Sequence, residues 1–330
     1  MSGTASRRKL LRAALLLAGP GSRAGAVRAQ TDRPIRIVVP FVPGGGNDVF
    51  ARQLAKGLGP LRNQPVVVDN KPGAGGNVGT AEVIRSAPDG HTLLLGHSGT
   101  VSINPVLFRG LKFDARSGLQ AVAMLAQSAL VLVVPETSPV THLDSLISAA
   151  RASPGGWNFA SSGIGTGGHL TGEMFRLATG LRLQHIAYKG TAPALGDVAG
   201  GQVQMCFSVL PPALALIRAG KLRALAVTSA RRLPSLPQVP TVMEAGIAAL
   251  SGFESSVTYG VLAPAGTPAA LVQALSRDIL KVAAAPGFQE RVDTEGAVAT
   301  PGDAEHYARV IRAENEKWAQ VVMRSGASAE

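Results

Sequence analysis

Apolar residues come in short β-branched runs, and most runs lead through a glycine-rich turn into apolar positions spaced three and four apart. IRIVVPF (35–41) passes through VPGGGN into a helix with Phe50, Leu54 and Leu58 on one face. PVVVDN (65–70) passes through KPGAGGN into a helix carrying Val78, Ala81 and Ile84. HTLLLGHSGT (91–100) predicts a third strand running into a polar turn. The theme restarts with a helix over 143–156, capped by Thr141 with Asp144 completing the box. WNFASS (157–162) then leads through GIGTGG into a helix with Leu170, Met174 and Leu177. LQHIAYKG (183–190), VQMCFSV (203–209) and LRALAVTS (222–229) predict three more strands, and Gly220 ends the helix between the last two. A Pro-rich segment follows, then a strand over 255–264, a helix over 268–285 and a closing helix over 300–326 capped by Thr300 with Asp303.

Strands alternating with helices predict an α/β fold with mostly parallel sheets. The apolar run 121–135 is too long for one ordinary strand and is broken by Gln127-Ser128, so it reads as two strands in two sheets joined by a crossing. This divides the chain into 30–128 (first lobe), 129–233 (second lobe) and 234–330 (return to the first lobe and closing helix). Two lobes joined by two crossings enclose a cleft about a hinge.

Ligands of open α/β sheets bind beyond the carboxyl ends of the strands, where the following helices present unpaired N–H groups and a partial positive charge. Four glycine turns lie at such positions: 43–47, 73–77, 163–168 and 190–192, two from each lobe. They predict a site for a small anion gripped from both sides. GxxxxGK[ST] is absent, and GIGTGG has no ribose-binding acid at the expected distance, so a carboxylate fits better than a nucleotide phosphate.

Charge and composition narrow the classes. The formal net charge of +11 owes much to residues 1–29, which hold six basic residues and no acid; beyond them 26 basic stand against 21 acidic residues, a net of +5. With 4% aromatic residues and no concentrated basic run, nucleic-acid binding is excluded. The basic head with Arg7 and Arg8, the short apolar stretch 13–18 and small residues at Ala26 and Ala29 predict an export signal over 1–29, resembling the twin-arginine type. The mature chain is then expected to be soluble and periplasmic. Cys206 is the single cysteine and reads as a buried apolar residue; the six histidines lack metal-ligand spacing, and no cofactor is expected.

The segments PFVPGGGND, VVVDNKPGAGGNVG, APDGHTLLLG, NFASSGIGTGGHL, IAYKGTAPALGDVAGG, GKLRALAVTSARRLPSLPQVPTVMEAG and YGVLAPAGTP resemble the Bug solute receptors, the substrate-binding subunits of tripartite tricarboxylate transporters, in order and spacing over 33–325. The resemblance implies a two-lobed type II periplasmic-binding-protein fold, a carboxylate ligand (a di- or tricarboxylate, an aromatic or another organic acid) and delivery to a membrane permease. It implies that Phe41, Pro43, Gly44, Gly45 and Asp48 wrap one carboxylate, and that Ser161, Gly163, Gly165, Thr166, His169, Tyr188, Lys189 and Gly190 face it. Two positions depart from the family pattern. Ser208 stands where an aspartate is common, which argues against an amino-acid ligand, and Thr258-Tyr259-Gly260 replaces a more aromatic wall.

Gly76 and Asn77 in the second turn, with Ser98 and Thr100 as hydroxyl donors, complete the candidate site. Each has a plainer reading: Asp48 as a first-turn acid, Thr166 as an N-cap, His169 as a packed helix residue, Lys189 as surface charge and Tyr188 as core. GHSGT (96–100) nearly matches a nucleophile elbow, which keeps an exported hydrolase using Ser98 as a distant alternative. A sensor or an ATP-driven importer would change only the partner of a monomeric receptor.

Overall fold

The computed structural model describes residues 33–329. The expected export segment lies outside them. The first lobe opens with β1 (Ile35–Val39), α1 (Gly46–Arg62), β2 (Val66–Asn70), α2 (Asn77–Ile84) and β3 (Thr92–His97). β1 lies between β2 and β3 and is parallel to both. The predicted face of α1 is the buried one: Phe50, Leu54 and Leu58 pack with Ile37, Leu93 and Val261. The polar turn after β3 tightens into a single π-helical turn, Gly99–Ile103.

β4 (Leu119–Pro135) leads to α3 (Leu143–Ala152), β5 (Trp157–Ser161), α4 (Gly167–Thr179), β6 (Leu183–Ala187), α5 (Thr191–Ala199), β7 (Met205–Val209), α6 (Leu210–Arg218) and β8 (Leu222–Val227). β5 lies between β6 and β7 and is parallel to both. The chain then comes back through β9 (Ser256–Pro264), α7 (Ala269–Ala283), α8 (Pro286–Thr294), β10 (Val298–Gly302) and α9 (Ala304–Ser325). Every antiparallel pair involves β4 or β9. The parallel pairs carry the glycine turns, and β4, antiparallel to its partners, runs from the sheet of the first lobe into that of the second.

β4 corrects the expectation of two strands. It is one 17-residue strand. Residues 119–129 pair with β9; from Leu130 onward the partners are β7 and β8. Its register shifts at Ala121/Ala123, Met124/Ala126 and Leu132/Val133. Such bulges bend and twist a strand, and that is how one continuous backbone serves two sheets.

Further differences are local. Residues beyond 233 do not return at once: Leu236, Val239, Val242, Leu250 and Phe253 pack in the second-lobe cores, and the crossing comes at β9. His142 caps α3 with Ser145 in place of Thr141 with Asp144. Asp303 caps α9, accepting the His306 N–H at 2.8 Å, because Thr300 is still in β10. α8 and β10 carried too few apolar positions to register in the pattern. α9 reaches across both lobes: Tyr307 packs with Val38 and Leu262, while Trp318 and Val321 pack with Leu170 of α4.

Candidate functional site

A cavity of about 510 Å³ lies between the lobes. Gly75 of the second turn, residues 163–168 of the third, and Gly190 and Thr191 of the fourth line it directly. Phe41 and Val42, the two residues ahead of the first turn (43–47), line it too, while the turn itself does not. Three of the four predicted turns therefore line one space, and the first reaches it only through the two residues ahead of it.

Which backbone amides remain available there is decided by contacts between side chain and backbone. In the first turn the Gly44 N–H donates to Asp48 Oδ2 at 3.0 Å, and the same carboxylate accepts from Arg52 Nε at 2.9 Å and Asn70 Nδ2 at 3.0 Å. Burial alone would raise the Asp48 pKa, but these donors outweigh it and hold the carboxyl below its ordinary range. Asp48 thus ties the turn back onto its own helix. Pro43, Gly44 and Gly45 lie outside the cavity wall.

In the third turn the Gly163 N–H donates to Ser161 Oγ at 3.1 Å and the Gly165 N–H to His169 Nδ1 at 3.2 Å. Thr166 Oγ1 donates to the Gly163 carbonyl at 2.8 Å and caps α4 by accepting the His169 N–H. The Gly167 and Gly168 N–H groups, first in α4, have no partner among the described residues, and both glycines line the cavity. A Cβ on Gly168 would fall on the Phe207 carbonyl, so glycine is needed there to seat the helix against β7. α5 begins at Thr191 with no side-chain cap, and its N-terminus faces the same space. Two helix dipoles from the second lobe thus direct partial positive charge into the cavity.

Several predicted residues support the wall from behind. His169 is buried and stacks on His185 at 3.9 Å. Tyr188 donates to Asp197 at 2.6 Å, and Lys189 is exposed on the surface. Thr100 Oγ1 donates to the His97 carbonyl at 3.0 Å. Asn77 Oδ1 accepts from Asn104 Nδ2 at 2.8 Å, and Gly76 leaves room for Thr100. The wall itself takes Phe41, Ser98, Gly163, Gly165, Thr166, Gly190 and Ser208 from the predicted set. Pro43, Gly44, Gly45, Asp48, Gly76, Asn77, Thr100, Ser161, His169, Tyr188 and Lys189 are not in it.

Sequence reasoning missed His97, Asn104 and Trp318 in the wall, and gave Tyr259 no place in it beyond the wall that the resemblance implied. It also missed Glu314, which accepts from Ser98 Oγ at 2.9 Å, Thr258 Oγ1 at 2.7 Å and Ser102 Oγ at 3.4 Å. Burial pushes the Glu314 carboxyl above its ordinary range despite those hydroxyls. A signal existed: Glu314 falls on the apolar stripe of α9 between Ile311 and Trp318, where an acid is out of place.

Ser98 Oγ also accepts the Thr258 N–H at 2.8 Å. Its proton goes to a carboxylate, and no imidazole partners it among the described residues. The π-helical turn that follows is not the strand–turn–helix of a nucleophile elbow. Cys206 is in the wall, with its thiol pushed up to about 12 by burial. Among the described lining residues there is no Lys, Arg, Asp or Glu.

The family model described as "Tripartite tricarboxylate transporter family receptor" matches residues 50–327. BugT of Bordetella pertussis is 38% identical over 299 residues, covering 89% of this chain and 90% of that protein. A Rhodopseudomonas palustris structure, Rpa4515 with adipate, superposes with a TM-score of 0.79 at 33% identity, covering 90% of this chain and 98% of that one. MatC of Rhodopseudomonas palustris, with bound malate, gives a TM-score of 0.75 at 28% identity, covering 88% of this chain and 99% of that one.

Proposed function

This chain belongs to the tripartite tricarboxylate transporter receptor family, and on that premise we propose that it captures a small organic carboxylate between its lobes in the periplasm and delivers it to a membrane permease. The family is one of solute receptors rather than enzymes, and the reading here is of a receptor without catalysis. Its main support is the convergence of two helix N-termini, α4 with the Gly167 and Gly168 N–H groups left unpaired and α5 without a side-chain cap, on a cavity whose described lining carries no charged side chain. An organic acid fits that combination: its carboxylate takes the N–H groups of Gly167, Gly168 and Thr191, and its carbon body takes the apolar wall. The volume lies within the roughly 300–1,000 Å³ usual for small-molecule sites. The adipate and malate bound by the two Rhodopseudomonas palustris proteins are of the same chemical class. No helix among the described residues is long and apolar enough to cross a membrane, which suits a receptor working beside its permease.

In this reading one lobe holds the ligand first and closure adds the other lobe's contacts, so affinity includes the closure equilibrium. Phe41 and His97 from the first lobe and Gly167 and Gly168 from the second line the same cavity.

A thermal-shift panel of adipate, malate, citrate, benzoate and glutamate tests the proposal. At least one acid is expected to raise the melting temperature, with about 2.7 kcal/mol of stabilisation at 100 times its dissociation constant. The corresponding methyl esters should give little or none. A panel without any shift would overturn the carboxylate reading.

A further inference from the structure

We propose that His97 is a ligand-contacting residue, whose Nε2–H donates a hydrogen bond to a carboxylate oxygen of the bound acid from the first-lobe side. The inference rests on the carboxylate-receptor reading and adds a donor that neither the glycine turns nor their amides supply.

Three observations converge. First, the ring is oriented from within its own loop. The Gly99 N–H donates to His97 Nδ1 at 2.8 Å, so in the neutral ring the proton sits on Nε2. A Cβ at residue 99 would fall on the ring, which gives the glycine of GHSGT a role that nucleophile chemistry does not. Second, the ring is clamped. Phe41 stacks on it with centroids 4.8 Å apart and planes at 19°, and Tyr259 meets it edge-on at 5.9 Å and 88°. All three line the cavity. Third, Nε2 has no hydrogen-bond partner among the described residues, while Nδ1 and the backbone groups of His97 are all engaged. Burial lowers its pKa to about 4, so the ring stays uncharged at neutral pH and is a fixed, neutral donor.

A neutral donor suits this site. The described cavity lining holds no opposing carboxylate, so an imidazolium would be stranded whenever the cleft is empty. A neutral N–H of fixed direction is satisfied by a ligand oxygen and by water in turn. The flanking rings then give the acid's carbon body a flat apolar surface beside the donor.

The test compares wild type with His97→Phe and His97→Gln by calorimetric titration, using the panel acid that gives the largest thermal shift. His97→Phe keeps the stack and removes the donor; about tenfold weaker binding is expected. His97→Gln places an amide N–H near the Nε2 position and should recover most of that loss. Equal affinity for wild type and His97→Phe, with the wild type still binding, overturns the proposal and leaves the receptor reading intact. Absence of binding by the wild type overturns both. If His97→Phe fails to fold, ¹⁵N-histidine spectra of the wild type decide: the Nε2–H resonance should move downfield on adding that acid, and an unmoved resonance overturns the proposal.

Discussion

Replacing Gly167 by proline should weaken carboxylate binding roughly 10- to 150-fold relative to Gly167→Ala. The estimate follows from the 1.5–3 kcal/mol typical of a hydrogen bond to a charged group. Gly167 is the first residue of α4, where proline is well tolerated because its missing N–H would be unpaired within the helix anyway. Thr166 before it is extended, with φ −76° and ψ 159°, as a residue preceding proline must be. The substitution therefore deletes one donor and leaves the helix. A Cβ at this position approaches Val257 Cγ2 to 2.8 Å, so some crowding is unavoidable. Alanine brings the same Cβ and keeps the N–H, which isolates the amide in the comparison. Calorimetric titration of both variants gives the ratio; equal affinities would remove the α4 N-terminus from the site.

Acidification from pH 7 to pH 5 should cost the fold about 2–4 kcal/mol through His169 and His185 alone. Burial lowers their pKa to about 3 and about 4, and stacking at 3.9 Å sets a charge on one ring against the other. In the unfolded chain each titrates near its ordinary value of about 6.5. The unfolded state therefore binds more protons as pH falls below 6.5, and the stability present above that value is lost progressively toward the folded pKa values. Carboxylates held low, such as Asp48 and Asp89, lose their contribution mainly below the ordinary carboxylate range of about 4, outside this window. Glu314 works in the opposite direction, since its carboxyl is raised. The informative quantity is thus the difference from His169→Asn, whose amide oxygen still accepts the Gly165 N–H. Urea titrations at both pH values should show a shallower decline in the variant; equal slopes would mean that the pair does not titrate in this window.

The two predictions depend on different kinds of information. Glycine at 167 and 168 before a periodic apolar helix was readable from the local pattern, as was the place of the second, third and fourth turns beyond the strand ends. That Gly167 keeps a free amide while Gly44, Gly163 and Gly165 do not was not readable. It depends on Asp48 folding back on its turn, on Ser161 and on His169. The local pattern offered a plain reading for Asp48 and His169 and the family resemblance a ligand reading beside it, with nothing in the sequence to choose between them. Of the positions singled out around the first turn, Phe41 is in the cavity wall and Pro43, Gly44, Gly45 and Asp48 are not.

Short-range physics determined the elements from the sequence alone. Side-chain period, turn chemistry and capping act over a few residues, so the strands, most helices and the buried face of α1 follow from the chain itself. Tertiary structure decided which partner each polar group would find. Ser98 meets Glu314 across 216 residues, β4 runs unbroken because bulges let it change neighbours, and His97 gains its flat surroundings from Phe41 and Tyr259. Contacts of that kind exist only once the lobes have packed, because a hydrogen bond or ring stack depends on distance in space and leaves no period along the sequence.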